Sequence, residues 1–349
     1  ENSIKVATTK AAQEDGIVYD ALYDVPKEFL KSEEKLLRVG DILMSTANSL
    51  NLLGRVTYID TLNEDITFGA FMTLLRPKKN KIHPKLLFQL LKSENAKQYY
   101  FSNANTTTNI SNLKFEDLNN FQIPLPPLSI QEEIVAEIEG YQKIIDGAKA
   151  VVANYKPNID IDPDWEMVEL GDAFDKITTS VIPAELEESV VNYVGLDNIS
   201  QGSGELIGEV VSNPREIKST KTVFKMNHIL YGKLRPNLNK VYFSDIEGIC
   251  STDIFVLEAK AEVEPKFYAY HFLSKQFNEN VMKGIKGAQL PRVGYEYFSK
   301  LIVPKPSIET QRQIVAQIEK EQTLVNANKQ LIEIFEQKIK DRIAKVWGE

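Results

Sequence analysis

A chain of 349 residues, 43% hydrophobic and 26% charged, has enough apolar material for two globular domains and is not a disordered polymer. The net charge of −8 excludes a protein that coats nucleic acid by bulk positive charge, so a polyanion must be met by local basic patches. One cysteine, Cys250, excludes an intramolecular disulfide and fits a reducing cytoplasm, the three scattered histidines His83, His228 and His271 form no zinc-ligand spacing, and no apolar run suggests a membrane span.

The first module is read over 1–122. A strand is expected through Ile42, then a polar turn from Ser45 to Asn51, then a second strand near Gly54. Ser45, Thr46, Asn48, Asn51 and Arg55 lie on this strand–turn–strand, where short polar groups and an arginine suit base edges and phosphates. Basic residues follow at Arg76, Lys78, Lys79, Lys81, Lys85, Lys92 and Lys97, with Glu94 the lone acid among them. A helix is expected from Pro84 to Tyr100, then a polar loop in which Asn105 and Thr107 are candidate contacts.

Over 123–157 a proline motif leads into a helix that Ser129 can cap. Ile134, Ile138, Tyr141 and Ile145, flanked by Ile130, Ala148, Val152 and Tyr155, step by four and three as in a coiled-coil seam. A second module is read over 158–302, opening at Trp165-Glu-Met-Val-Glu-Leu-Gly-Asp172. Strands are expected at Val191 to Val194, Ile229 to Tyr231, Lys240 to Phe243 and Thr252 to Leu257, and a helix from Pro265 to Val281. Its hairpin carries Lys233, Arg235, Asn237, Asn239 and Lys240; a later polar loop carries Gln289 and Arg292. Arginine and asparagine there could pair bidentately with guanine and adenine, and the lysines could hold phosphates.

Over 303–349 the proline motif and helix return, with Ile314, Ile318, Val325, Ile332 and Phe335 in seam phase and Gln322 and Asn328 interrupting it. Pro124, Pro126, Gln131, Ile134, Val135, Ala136, Ile138 and Glu139 recur as Pro304, Pro306, Gln311, Ile314, Val315, Ala316, Ile318 and Glu319, an offset of 180 residues. The chain is therefore read as an α+β tandem duplication of pseudo-two-fold kind. Two globular modules are joined by two long antiparallel coiled-coil helices of roughly 40 and 55–60 Å, taking about 1.5 Å per residue. The first module lacks a counterpart of Trp165 to Asp172.

Catalytic signatures are missing. There is no phosphate-binding glycine loop, nucleophile elbow or adenine-pocket motif, and Asp162 to Asp164 lie in a proline-punctuated linker rather than a metal site. An enzyme is not expected, and neither is a cofactor or metal in this chain.

The doubled proline motif leading to Gln-x-x-Ile-Val, with Trp165 to Asp172 and Ile229-Leu-Tyr-Gly-Lys-Leu-Arg-Pro236, resembles the specificity (S) subunit of type I restriction–modification systems over nearly the whole chain. The resemblance implies that each module is a target recognition domain for one half of a bipartite site in double-stranded DNA. The helices would set the unread gap and dock two methyltransferase (M) subunits, and a nuclease/translocase (R) subunit would join for cleavage. S-adenosylmethionine, Mg and ATP would belong to those partners. Two other readings stay open: a coiled-coil protein-interaction adaptor, and the recognition component of a two-subunit type II restriction enzyme.

Overall fold

The computed structural model describes residues 3–107, 110–286 and 290–349, and the chain divides into two compact units, Glu1–Ala153 with Asn328–Glu349, and Asn154–Ala327. In unit 1 the strands are β1 (Ser3–Ala7), β2 (Ala12–Gln13), β3 (Gly16–Ile17), β4 (Tyr23–Pro26), β5 (Ile42–Ser45), β6 (Ala47–Asn48), β7 (Val56–Tyr58), β8 (Ile66–Phe68) and β9 (Met72–Leu75). Then come α1 (Pro84–Lys92), α2 (Glu94–Asn103), β10 (Asn105–Thr106), β11 (Ser111–Asn112), α3 (Phe115–Asn119) and α4 (Leu128–Asn154).

Strand β5 organises the unit. It lies between β7 and β9 in an antiparallel sheet, and all four of its residues are buried. Ile42 and Met44 enter a core with Leu91, Ala96 and Tyr100, while Leu43 faces a second core with Ala7, Leu37 and Ile66. A strand with apolar partners on both faces has no reason to alternate, which explains its continuous apolar run. The second core is closed by the sheet β4–β1–β8.

Unit 2 has β12 (Met167–Glu169), α5 (Leu170–Ala173), β13 (Phe174–Ile177), β14 (Ser180–Val181), β15 (Val191–Val194), β16 (Val211–Ser212), β17 (Lys221–Phe224), β18 (Ile229–Gly232), β19 (Val241–Phe243), β20 (Gly248–Cys250) and β21 (Ile254–Ala259). They are followed by α6 (Pro265–Leu273), α7 (Lys275–Met282), β22 (Ile285–Lys286), β23 (Arg292–Val293), α8 (Tyr295–Phe298), β24 (Ile302–Pro304) and α9 (Ile308–Trp347), which belongs to unit 2 up to Ala327 and to unit 1 from Asn328. Its central sheet runs β13–β21–β18–β19, so β19–β18–β21 repeats the order β7–β5–β9 of unit 1. Again the middle strand feeds two cores: Ile229 and Tyr231 join Phe267, Phe272 and Phe298, and Leu230 joins Val194 and Phe224. Among the described residues β12, α5 and β13 have no counterpart in unit 1, where the segment before the first proline motif forms no strand.

The two single helices expected from Pro84 and Pro265 are each broken in two. Ser93 and Ser274 adopt extended backbone (ψ 159 and 146), and their hydroxyls accept from the Ala96 and Phe277 N–H groups. A serine that caps the next helix competes with continuing the previous one, which an apolar-period reading does not register.

The long helices stand as expected, 27 residues for α4 and 40 for α9. Within unit 1 the C-terminal part of α9 packs antiparallel on α4. Glu137 pairs with Arg342 at 2.6 Å, Tyr141 lies 5.4 Å from Phe335, and Ile343 is buried with Ile134, Val135 and Ile138. Ile138, Ile145, Ile318 and Val325 are buried, and Ile314, Ile332 and Phe335 half-buried, whereas Ile130 lies at the surface. Beyond α4, within unit 2, the Tyr155 hydroxyl lies 3.2 Å from Glu321. Among the described residues no helix is long and apolar enough to cross a membrane.

One core residue of unit 2 predicts acid sensitivity. His271 is buried on α6 with its ring 5.4 Å from Phe277, and burial pushes its pKa down to about 4. The unfolded chain protonates this imidazole near pH 6.5 and the folded chain does not. Stability present above about pH 6.5 is therefore lost as pH falls toward 4, by roughly 3 kcal/mol at about 1.4 kcal/mol per unit. Urea unfolding at pH 7 and 4.5 should show a smaller acid loss in His271→Phe than in the parent chain. Equal losses would refute this assignment.

Candidate nucleic-acid interface

On leaving β18 the chain of unit 2 is fixed by two backbone hydrogen bonds. The Lys233 N–H donates to the Asp253 carbonyl at 2.9 Å, and the Val293 N–H donates to the Lys233 carbonyl at 3.1 Å. Leu234 bridges Arg292, and the Arg235 N–H donates to Pro291 O at 2.8 Å. Two polar loops far apart in sequence thus become neighbours: the turn after β18 and the segment around β23.

Charge concentrates where they meet. Arg235 and Asn239 bracket a short turn at Pro236–Leu238 in the left-handed region, φ 51 and 44, a conformation that costs an L residue roughly 1 kcal/mol. The Arg235 side chain is exposed, and among the described residues it has no side-chain hydrogen bond or ion pair. Asn237 is exposed beside it. The Lys233 ammonium lies 5.5 Å from the Phe255 ring centroid, and that of Lys176 lies 5.6 Å from the same ring and 5.0 Å from Tyr295. Arg292 reaches Asp253 through Nε at 3.0 Å and Nη2 at 3.3 Å, and this carboxylate holds the guanidinium further into its charged range.

Unit 1 repeats the frame with other side chains. The Thr46 N–H donates to Phe71 O at 3.0 Å, and the Leu113 N–H donates to Thr46 O at 2.9 Å. β6 pairs with β11, placing Ala47 opposite Asn112 and Asn48 opposite Ser111. The Thr46 hydroxyl lies 3.1 Å from that of Thr73. Asn51 is exposed and accepts from the Ser49 hydroxyl at 2.7 Å, while Asn105 and Thr107 are exposed on the hairpin of β10 and β11.

Several residues expected at a DNA surface serve the fold instead. Ser45 is buried, and its hydroxyl accepts from the Asn48 amide at 3.2 Å. Arg55 is half-buried, donating to Gln13 Oε1 at 3.0 Å and to the Thr9 carbonyl. Lys240 does the same in unit 2, its ammonium donating to Leu196 O at 2.6 Å. Both cations tie down the loop that follows β1 or β15. Asn239 donates to Leu273 O at 3.0 Å, and its own oxygen is buried. Gln289 lies outside the described residues.

The expected residues that the structure leaves at the surface are Asn51, Asn105, Thr107, Arg235, Asn237 and Arg292, with Thr46, Asn48 and Lys233 half-exposed. Sequence reasoning missed Phe71 and Asn112 in unit 1 and Lys176 and Asp253 in unit 2, each of which reaches the frame of its own unit only through strand register. Among the described residues no cluster of three or more His, Cys, Asp or Glu could hold a metal.

Comparison with known proteins bears on the same regions. The family described as type I restriction modification DNA specificity domain matches residues 4–152 and again 163–336. A protein named as the specificity subunit of type I restriction enzyme MjaX, from Methanocaldococcus jannaschii, is 24% identical over 333 residues, 86% of this chain and 77% of that one. The EcoKI specificity subunit of Escherichia coli strain K12 is 24% identical over 214 residues, 61% of this chain and 44% of its own length. Among solved structures, a chain from a study of assembly and conformational transition of the type I R-M system matches with TM-score 0.60 and 16% identity, covering 99% of this chain and 91% of that one. The S subunit of a type I system from M. genitalium matches with TM-score 0.50 and 14% identity, covering 99% and 89%.

Proposed function

The chain belongs to the type I restriction modification DNA specificity family, and on that premise we propose that it reads a bipartite target in double-stranded DNA, one half-site per unit. It recruits two methyltransferase subunits and, for cleavage, a nuclease/translocase subunit. Methyl transfer and cleavage, with their S-adenosylmethionine, Mg and ATP, belong to those partners, and this chain is not an enzyme. The complex works in the cytoplasm.

The observation that carries this reading is the recurrence, in both units, of one backbone frame that pairs the loop after the central strand with the segment before the proline motif. A frame kept while its side chains differ is what two readers of different sequences need. Unit 2 adds an exposed Arg235, without a side-chain partner among the described residues, held in a left-handed backbone, and strain of that kind is characteristic of functional loops.

The test is methylation sequencing of cells carrying the intact system, followed by gel shift of the complex at defined salt. Arg235→Ala is expected to lose about tenfold or more in affinity, with base preference relaxed in one half-site only. Equal relaxation in both halves would contradict one reader per half. A complex that binds all duplexes alike would refute recognition altogether.

A further inference from the structure

The two frames can be aligned position by position from their hydrogen bonds. Ser45 lies opposite Met72 as Gly232 lies opposite Ile254, so Thr46, Phe71 and Thr73 occupy the places of Lys233, Asp253 and Phe255. The bonds from Leu113 to Thr46 and from Val293 to Lys233 likewise make Asn112 the equivalent of Arg292. The backbone is the same in both units and the chemistry is not.

In unit 2 the four places hold a lysine over an aromatic ring and an arginine held by a carboxylate. In unit 1 they hold two threonines bonded to each other, an asparagine, and a phenylalanine whose exposure is 58%. No formal charge remains on these positions in unit 1. More than half of Phe71 is open to solvent, so its apolar surface is available to a ligand.

We infer that these four positions determine specificity in each unit alongside the neighbouring turn, and that the two half-sites are read by opposite chemistry: unit 2 reads guanine with Arg292 and holds phosphate with Lys233, while unit 1 reads thymine with the apolar ring of Phe71. The inference rests on the DNA-recognition reading and names the residues and bases that reading leaves open. Arginine matches the two acceptors on the major-groove edge of guanine, and an aromatic ring meets the methyl group that distinguishes thymine there. Asp253 holds the Arg292 fork through two of its nitrogens, so the side chain is oriented before DNA arrives. Asn112, exposed beside the unit 1 frame, adds an amide suited to adenine.

The experiment uses the complete complex with its methyltransferase subunits. Methylation sequencing defines the parent target; Phe71→Ala, Arg292→Ala and Arg292→Lys are then scored for base preference at each position and for the dependence of affinity on salt. Phe71→Ala should relax a thymine position in one half, with the slope of log affinity against log salt unchanged. Arg292→Ala should relax a guanine position in the other half. Arg292→Lys keeps the charge and loses the fork, so it should leave the guanine preference relaxed. Both parent side chains are exposed, so the variants should unfold at the parent temperature; if one does not, Phe71→Leu and Arg292→Gln replace them. Unchanged preferences in these variants, relaxation in the same half, or a relaxed base other than thymine or guanine overturns the assignment while leaving DNA recognition standing. A parent complex without base preference overturns both.

Discussion

Gln131→Met and Gln311→Met are each expected to lower the stability of the full chain by roughly 3 kcal/mol or more in urea unfolding, although methionine fills nearly the same volume. The Gln131 side chain is completely buried. Its oxygen accepts from the His83 N–H at 2.7 Å, and its nitrogen donates to the carbonyls of Lys81 at 3.1 Å and Pro126 at 2.7 Å. Gln311 makes the same three bonds, accepting from Glu264 at 2.8 Å and donating to Glu262 at 3.3 Å and Pro306 at 2.8 Å. Each glutamine thus joins the first turn of a long helix to the N-terminus of the short helix α1 or α6. Removing the amide leaves one backbone N–H and two carbonyls without their partner, at about 1–3 kcal/mol for each of these groups that water cannot reach. Gln→Glu should fail as well, because a carboxylate has no donor for the two carbonyls. A loss below 1 kcal/mol for both methionine variants would show that the motif is kept for another reason.

That clamp marks how far the sequence could be read. Gln131 and Gln311 stand out as recurring residues, and their recurrence was enough to locate the duplication. Their partners were not legible, because main-chain groups carry no side-chain signature. The helix seams were readable since period and burial coincide: Ile134, Ile138, Ile145 and Ile318 are all buried. The site was only half readable. A polar turn announces itself, but whether its side chains face water or the fold depends on long-range partners such as Thr9 and Leu196, which capture Arg55 and Lys240. Register hides equivalence too. Asp41 with Arg76 at 2.7 Å in unit 1 corresponds to His228 beside Glu258 at 3.8 Å in unit 2, where the acidic and basic side chains exchange places and burial pushes the imidazole pKa down, an equivalence that no identity search would align.

Glycine-to-alanine substitutions should have opposite signs at two kinds of position. Gly54 has φ +78, and a Cβ built there would lie 2.1 Å from Tyr100 Cδ2. The Tyr100 ring cannot swing away, because it is fully buried and its hydroxyl donates to the Leu91 carbonyl at 3.1 Å. Backbone strain of about 1–2 kcal/mol and overpacking of about 1–3 kcal/mol then act together, and Gly54→Ala should cost roughly 3 kcal/mol or more. Gly140 and Gly147 lie within α4, where an added Cβ meets nothing within 4 Å. Alanine at either should stabilise the chain by about 0.5–1 kcal/mol, since it narrows the unfolded ensemble and favours the helix. Urea midpoints of the three single variants measure both signs. A tolerated Gly54→Ala would mean that the contact between the β5–β7 turn and Tyr100 is loose. Destabilisation by Gly140→Ala, with α4 facing open space there, would mean that the helix needs its glycines for a bend that propensity does not explain.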